Sequence, residues 1–181
     1  MPTVAVFGAS ASLPGDEAYV AAMRLGRLLA GSGLRVVNGG YAGVMEAVSR
    51  GAAEVGGHVI GVTVPALFPM RPGGNDWLTD ERPHPTLTER IHDLLSLADA
   101  TVAMPGSLGT LTELMVAWNE AFIARLGGIA PNPVLAVGEP WRSLLPLLAD
   151  KLVTDHDLVS VVDTVDEAHQ VLVDWFANPD R

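Results

Sequence analysis

Residues 104–113 read MPGSLGTLTE and join a short apolar segment to a longer one. The apolar residues 100–103 before this stretch predict a buried strand, and residues 114–126 after it predict a largely buried helix. The first N–H groups of a helix have no partner inside the helix, and the peptide dipoles make that end positive. A glycine-rich turn between a strand and a helix therefore predicts a place where a phosphate binds.

Individual residues of this turn have predicted roles. Gly106 and Gly109 let the backbone approach a ligand closely or adopt a positive φ, and Ser107 and Thr110 offer hydroxyls to a phosphate oxygen. Glu113 follows one helical turn later, where a helix N-terminus would favour its ionised form. Residues 110–113 also fit a capping box, in which Thr110 is the N-cap and Glu113 reaches back to its N–H. The spacing alone leaves both interpretations open.

Two similar turns follow other predicted strands. Residues 8–12 follow a strand at 3–7, and residues 38–43 follow a strand at 34–37. Further strands are predicted at 58–64, 134–137 and 159–162, and further helices begin at 16, 44, 88, 141 and 165. This alternation predicts one α/β domain over residues 1–181, with a Rossmann-like, doubly wound, mostly parallel sheet in three layers. Ligands of such sheets bind beyond the carboxyl ends of the strands. The glycine-rich turns do not have the GxGxxG spacing, so the sequence does not predict binding of NAD or FAD.

Residues 65–86 contain five prolines and a Gly-Gly pair, which predicts a long loop. Four of its side chains are candidates to close over a ligand: Met70, Arg71, Asp76 and Trp77. A surface excursion or a contact between two copies of the chain is the alternative.

Composition narrows the class of protein. The formal net charge of −10 argues against nucleic acid as a partner, although a single nucleotide remains compatible with it. No apolar run is long enough for a membrane span, and the N-terminus lacks the pattern of a signal peptide. There are no cysteines, and the five histidines are not spaced as metal ligands. We therefore expect a cytoplasmic protein that holds no metal or cofactor and binds no membrane.

Several motifs in order resemble one known family. Residues 105–113 resemble the PGGxGTxxE signature of the LOG family, the cytokinin-activating phosphoribohydrolases often labelled "lysine decarboxylase-like". Residues 4–10 resemble the opening strand and loop of that family, 38–45 its GGGxxGLM segment, and 57–62 its GGxVIGV strand. The resemblance covers about residues 4–65 and 87–150, and it implies a homodimer with a Rossmann-like fold.

The resemblance also implies a reaction. An adenine nucleotide, including an N6-prenylated one, reacts with water to give the free base and ribose 5-phosphate. Glu113 is implied as the catalytic carboxylate and Arg90 as the arginine that contacts the substrate. From the helix pattern alone, Arg90 would instead be a solvated residue paired with Glu89 or Asp93. The remaining implied substrate- and phosphate-binding residues are Ser10, Gly39, Gly40, Gly43, Met45, Gly106, Ser107, Gly109 and Thr110.

Two positions depart from the family pattern. Ser107 replaces the second glycine of the signature, and Ile91 stands where the family has a lysine after its arginine. These changes favour an alternative, a nucleotide- or molybdenum-cofactor-binding carrier of the same fold that does not hydrolyse its ligand. A role in assembly through apolar helix faces is a third possibility. Lysine decarboxylation is disfavoured, because Lys151 is the one lysine of the chain and is predicted away from the glycine-rich turns.

Overall fold

A computed structural model describes residues 1–70 and 73–178. The strands of this part of the chain are Thr3–Phe7 (β1), Arg35–Asn38 (β2), Val59–Thr63 (β3), Asp80–Pro83 (β4), Ala100–Ala103 (β5), Val134–Val137 (β6) and Ser160–Val162 (β7). The α-helices are Glu17–Gly31 (α1), Val44–Ala53 (α2), Leu87–Ser96 (α3), Leu108–Leu126 (α4), Trp141–Lys151 (α5) and Val165–Ala177 (α6), and Pro65–Leu67 forms a 3₁₀ turn.

All strand pairs are parallel, and the strand order is β4-β3-β2-β1-β5-β6-β7. The chain starts in the middle of the sheet, runs outward from β1 to β4, and returns to the other side of β1 as β5. The order therefore reverses between β1 and β5, which is where such sheets bind ligands. The predicted Rossmann-like, doubly wound sheet is confirmed.

Helices cover both faces of the sheet. Val4 and Val6 of β1 pack into a core with α1, α2 and α6, whereas Ala5 and Phe7 pack into a second core with α3, α4 and α5. Because alternate side chains of a strand point to opposite faces, a strand covered on both sides must be apolar throughout. This explains why β1 is an uninterrupted run of buried residues and confirms the three layers.

The prediction of an unbroken loop over residues 65–86 was wrong. Residues Asp80–Pro83 form β4, which pairs in parallel with β3 at the edge of the sheet. All four residues are exposed. An edge strand needs no apolar run, and charges and proline are common there, so β4 has no apolar pattern in the sequence.

Three helix starts also differ from the prediction. Helix α4 begins at Leu108 instead of residue 114, whereas α1 and α3 begin at Glu17 and Leu87, each one residue from the predicted start. The hydroxyl of Thr86 caps α3 by accepting a hydrogen bond from Glu89 N at 3.3 Å. The other predicted strands lie within one residue of their observed ends. Across residues 1–70 and 73–178, no helix combines the length and apolarity that a membrane crossing requires.

Candidate functional site

The three predicted turns meet at the point where the strand order reverses. Ala9 N donates to Pro105 O at 3.2 Å, which joins the turn after β1 to the turn after β5. Val44 N donates to Ala9 O at 2.9 Å, which brings the start of α2 to the same place. Gly43 has a φ of +73°, and a Cβ there would lie 2.3 Å from Ala9 O, so this contact requires a glycine. Ser10 is exposed beside it.

The turn after β5 leads directly into α4. Ser107 is the N-cap, with an extended backbone (φ −101°, ψ −166°), and its side chain makes no capping hydrogen bond. The capping box at Thr110 was therefore wrong, since Thr110 already lies inside the helix and is 2 % exposed. The N–H groups of residues 108–110 have no partner within an α-helix. Because residues 107–109 are exposed, an anion can reach this end of α4.

The two glycines of this turn differ in their surroundings. A Cβ on Gly106 would lie 2.1 Å from Thr110 Oγ1, so packing of the turn against the helix requires a glycine there. A Cβ on Gly109 would meet no atom within 4 Å. Contacts within the protein thus require a glycine at position 106 but not at position 109. The lack of a side chain at Gly109 leaves open space above the first turn of α4.

Arg90 and Glu113 form a buried pair below this turn. They are 7 % and 8 % exposed, and Arg90 Nη1 donates to Glu113 Oε1 at 3.3 Å. Arg90 Nε also donates to Val62 O at 2.8 Å, which anchors the guanidinium at the end of β3. Arg90 is therefore not the solvated residue that its helix pattern allowed. Its two alternative partners are engaged elsewhere, Glu89 with Thr86 and Asp93 with His84.

Gly39 and Met45 complete the surroundings of the guanidinium. Arg90 Nη2 lies 4.0 Å from Met45 Sδ. A Cβ on Gly39 would lie 1.8 Å from Arg90 Nη2 and 2.6 Å from Met45 Sδ, so a side chain there would displace one or both groups. The structure thus brings four predicted site residues together, from α2, α3, α4 and the turn after β2.

Burial raises the pKa of Glu113 from 4.5 to about 7, and the nearby Arg90 guanidinium offsets part of that rise. The expectation that the helix N-terminus would favour ionised Glu113 was therefore wrong. Glu113 is the sixth residue of α4, whereas the helix dipole acts mainly within the first turn. Near neutral pH, this carboxyl group exchanges between its protonated and ionised forms.

Asn38 and Asn75 fix the turn after β2, and sequence reasoning gave neither of them a role. Gly40 has a φ of +75°, and its N–H donates to Asn38 Oδ1 at 2.7 Å. Asn75 Nδ2 donates to Gly40 O at 3.1 Å and to Tyr41 O at 3.0 Å, and its backbone N donates to Gly40 O at 2.7 Å. Asn75 thereby ties the 73–78 segment to the turn. The position of Asn75 directly after Gly73-Gly74 was the feature of the sequence that could have indicated this role.

The side chains predicted to close over a ligand lie at the surface or outside the described residues. Met70 and Asp76 are exposed, and Trp77 lies against Arg50 of α2, with 5.4 Å between the guanidinium carbon and the ring centre. Arg71 falls outside the described residues. Closure of this segment over a ligand stays a prediction.

No metal site is visible within residues 1–70 and 73–178. No three His, Asp or Glu side chains come together there as ligands. His58 and His84 each contact one carboxylate, at 2.8 Å and 3.0 Å, and both lie near the edge strand β4.

The fold and the site define a Rossmann-like α/β protein with a buried Arg–Glu pair beneath an exposed helix start. A family model described as "Possible lysine decarboxylase" matches residues 45–174, and a model described as "SLOG cluster4 family" matches residues 1–69. The chain belongs to the first of these families, the LOG family, which confirms the resemblance drawn from its motifs.

Curated relatives carry the name phosphoribohydrolase. A probable cytokinin riboside 5′-monophosphate phosphoribohydrolase of Oryza sativa subsp. japonica is 37 % identical over 147 residues, covering 78 % of this chain and 57 % of its own length. A cytokinin riboside 5′-monophosphate phosphoribohydrolase of Mycobacterium tuberculosis is 31 % identical over 140 residues, covering 77 % and 71 %. The chain thus spans less than two thirds of the rice relative.

A solved structure shares the fold. The molybdenum cofactor binding protein of Rippkaea orientalis superposes with a TM-score of 0.77 at 22 % identity, covering 97 % of each chain. At this identity the similarity concerns the architecture alone.

Proposed function

We propose that the protein hydrolyses the N-glycosidic bond of a purine nucleoside 5′-monophosphate, such as AMP or a cytokinin-type nucleotide. The products are the free base and ribose 5-phosphate. The observation that carries this proposal is the buried pair between Arg90 of α3 and Glu113 of α4, the helix whose exposed N-terminus follows the glycine-rich turn. The names of the curated relatives support the same reaction class.

The first turn of α4 is the proposed phosphate site. Its free N–H groups and the hydroxyls of Ser107 and Thr110 supply hydrogen-bond donors for phosphate oxygens. Glu113 lies about 6 Å further along the helix axis than Gly109, at 1.5 Å per residue. A ribose attached to a phosphate at Gly109 would therefore reach the Glu113 carboxylate.

Glu113 acts on the charge that develops in the reaction. When the bond from C1′ to the base nitrogen breaks, the electron pair leaves with the base and positive charge builds on C1′ and the ring oxygen. An ionised carboxylate facing that charge lowers the barrier. A water oxygen then bonds to C1′, and a water-derived proton goes to the leaving base. Arg90 orients Glu113 through Nη1, and its Nη2 is the donor that we assign to the substrate.

Incubation with AMP, followed by chromatographic detection of adenine and ribose 5-phosphate, tests the proposal. Glu113→Gln should abolish turnover and leave AMP binding largely intact, because the amide keeps the shape of the side chain but not its charge. Glu120→Gln, which changes an exposed carboxylate of the same helix, is the matched control. Unchanged turnover in Glu113→Gln would remove the catalytic assignment.

The pH dependence follows from the pKa of Glu113. If the ionised form is required, kcat/KM should fall about tenfold per pH unit below about pH 7. A rate that instead falls as the pH rises above 7 would mean that the protonated carboxyl is the active form.

Binding without hydrolysis is the second candidate function. Ile91 of α3 packs into the core that α3 shares with α4 and α5, so an apolar contact occupies the position of the family's lysine. The Rippkaea orientalis protein is named for binding the molybdenum cofactor, and the phosphate end of such a ligand could use the same first turn of α4. Measurable nucleotide binding without release of base from any purine monophosphate would favour this function.

We also propose that two copies of the chain associate through α4. Ile123 and Leu126 near the end of this helix are exposed, as is Val153 after α5. Exposed apolar side chains often mark a protein–protein interface where they form a patch.

A further inference from the structure

A second cleft lies at the amino ends of the central strands, opposite the glycine-rich turns, and has no role in the mechanism above. Its volume is about 560 Å³, within the roughly 300–1,000 Å³ of small-molecule sites. Strand β1 runs between the two ends of the sheet, which separates the cleft from the turns by about 13 Å. The lining includes a cation, a carboxylate, an amide and two aromatic rings, those of Arg35, Asp99, Asn132, Trp175 and Phe176.

Arg35 of this cleft lacks a partner for its charge. Its side chain is half-buried at the start of β2, and its Nε is buried without a hydrogen-bond partner. Every other arginine within residues 1–70 and 73–178 contacts a carboxylate. A buried N–H group without an acceptor is unfavourable, and a guanidinium carries five N–H donors. A carboxylate presents two acceptor oxygens in the geometry that matches this group.

Asp99 places a carboxylate on the other side of β1. Thr3 pairs in register with Arg35, and its backbone N donates to Asp99 Oδ2 at 2.8 Å. Asp99 N donates in return to Thr3 O at 2.8 Å, so both the backbone and the carboxylate of Asp99 are held in place. Because neighbouring strands lie about 4.8 Å apart, the Cα atoms of Arg35 and Asp99 are separated by about 10 Å.

The two opposite charges of the cleft do not neutralise each other. No ion pair joins Arg35 to Asp99, and among the described residues Asp99 contacts no other cation. A ligand with a single charge would meet a like charge in the cleft as well as an opposite one. A ligand that carries both a carboxylate and an ammonium group satisfies both residues.

Two aromatic side chains indicate the rest of the ligand. Trp175 and Phe176 lie near the end of α6, and both are half-buried beside the charged groups. Aromatic rings pack favourably against one another in offset or edge-to-face arrangements. An aromatic amino acid combines such a ring with the two charges that Arg35 and Asp99 match.

We propose that this cleft binds a free α-amino acid with an aromatic side chain. Arg35 binds the carboxylate, Asp99 Oδ1 accepts a hydrogen bond from the ammonium group, and the ring packs against Trp175 and Phe176. The inference does not depend on the proposed hydrolysis, because the cleft shares no residue with the Arg90–Glu113 site.

Calorimetric titration of the wild-type protein tests the charge pattern at about pH 6, where α-amino groups are protonated. L-Phenylalanine carries both charges, L-phenylalaninamide lacks the carboxylate, and 3-phenylpropionate lacks the ammonium group. Phenylalanine should bind at least about tenfold more tightly than either analogue, because each analogue leaves one charge of the protein without its partner. Equal affinities for the three ligands, or no binding of phenylalanine at millimolar concentrations, would overturn the inference.

Two variants assign the charges to residues. Arg35→Gln should give phenylalanine and phenylalaninamide nearly equal affinities, because the group that distinguishes them is gone. Asp99→Asn should do the same for phenylalanine and 3-phenylpropionate, while the amide oxygen can still accept from Thr3 N. Lys151→Gln removes an exposed positive charge outside the cleft, so it is the matched control and should keep the wild-type affinities.

Thermal unfolding shows whether each variant is folded at the temperature of the titration. A folded Arg35→Gln variant that still prefers phenylalanine to phenylalaninamide at least about tenfold would overturn the assignment of Arg35. The comparison of the three ligands on the wild-type protein decides the charge pattern even where a variant does not fold.

Discussion

Burial of Glu113 should make the stability of the protein depend on pH in a direction unusual for a carboxylate. Its pKa in the folded protein is about 7, roughly 2.5 pH units above the ordinary value of 4.5. The folded state therefore retains the Glu113 proton over a pH range in which the unfolded chain has lost it. Stability from this group is fully present below about pH 4.5 and is lost as the pH rises through about 7.

The size of the effect follows from the same two values. At 1.36 kcal/mol per pH unit, the contribution of Glu113 to the free energy of unfolding should fall by about 3 kcal/mol between about pH 4 and about pH 8. Glu113→Gln removes the titration and keeps the shape of the side chain. The stability of the variant relative to wild type should therefore rise by about 3 kcal/mol over that pH range.

Urea unfolding of both proteins at several pH values measures this difference. At each pH, the free energy of unfolding of wild type is subtracted from that of the variant. This difference cancels the titration of all other groups that the substitution leaves unchanged. Glu120→Gln serves as the control, because an exposed carboxylate should show little pH-dependent difference. A Glu113→Gln difference that does not change with pH, or that changes in the opposite direction, would refute the account of the buried pair.

Three further predictions concern the surroundings of the site. Gly39→Ala should displace the Arg90 guanidinium and lower the free energy of unfolding by about 1–3 kcal/mol. Gly31→Ala, at an open position at the end of α1, is the control and should not destabilise the protein. Equal melting temperatures for wild type and Gly39→Ala would contradict the packing of Gly39 against Arg90. Asn75→Ala removes two side-chain hydrogen bonds to the turn after β2 and should lower the free energy of unfolding in urea by about 1–3 kcal/mol. An unchanged urea midpoint would mean that the turn does not depend on Asn75 for its stability. Leu126→Glu places a charge on an exposed apolar surface and should turn the proposed dimer into a monomer in sedimentation analysis; a Leu126→Glu variant that remains dimeric would place the interface elsewhere.

The apolar strands and the turns that follow them could be predicted from the sequence. Strands of a parallel sheet are covered on both faces, so β1, β5 and β6 are short apolar runs that end in small or glycine-rich segments. Strand β4 could not be found in this way, because an exposed edge strand of charged residues has no apolar pattern. The capping box at Thr110 failed because α4 begins earlier, with Ser107 as its N-cap, so Thr110 already lies inside the first turn.

The contacts of the candidate site depend on tertiary structure. Arg90 and Glu113 lie on different helices, and the distance between their side chains is set by how α3 and α4 pack on one face of the sheet. The helix pattern placed Arg90 away from the apolar stripe of α3 but could not show that it reaches Val62 O. The raised pKa of Glu113 also depends on tertiary structure, because its burial outweighs the local effect of the helix dipole.

Burial works against the ionised form of Glu113 that pairs with Arg90. Burial favours the neutral form of Glu113 even with Arg90 3.3 Å away, so the attraction between the two groups does not repay the removal of the carboxylate from water. Apolar side chains of similar volume at these two positions would often give a protein at least as stable. The pair also requires Gly39, which keeps the space for the guanidinium open. A costly carboxylate of perturbed pKa beside an accessible helix N-terminus is explained by chemistry on a bound anion better than by packing.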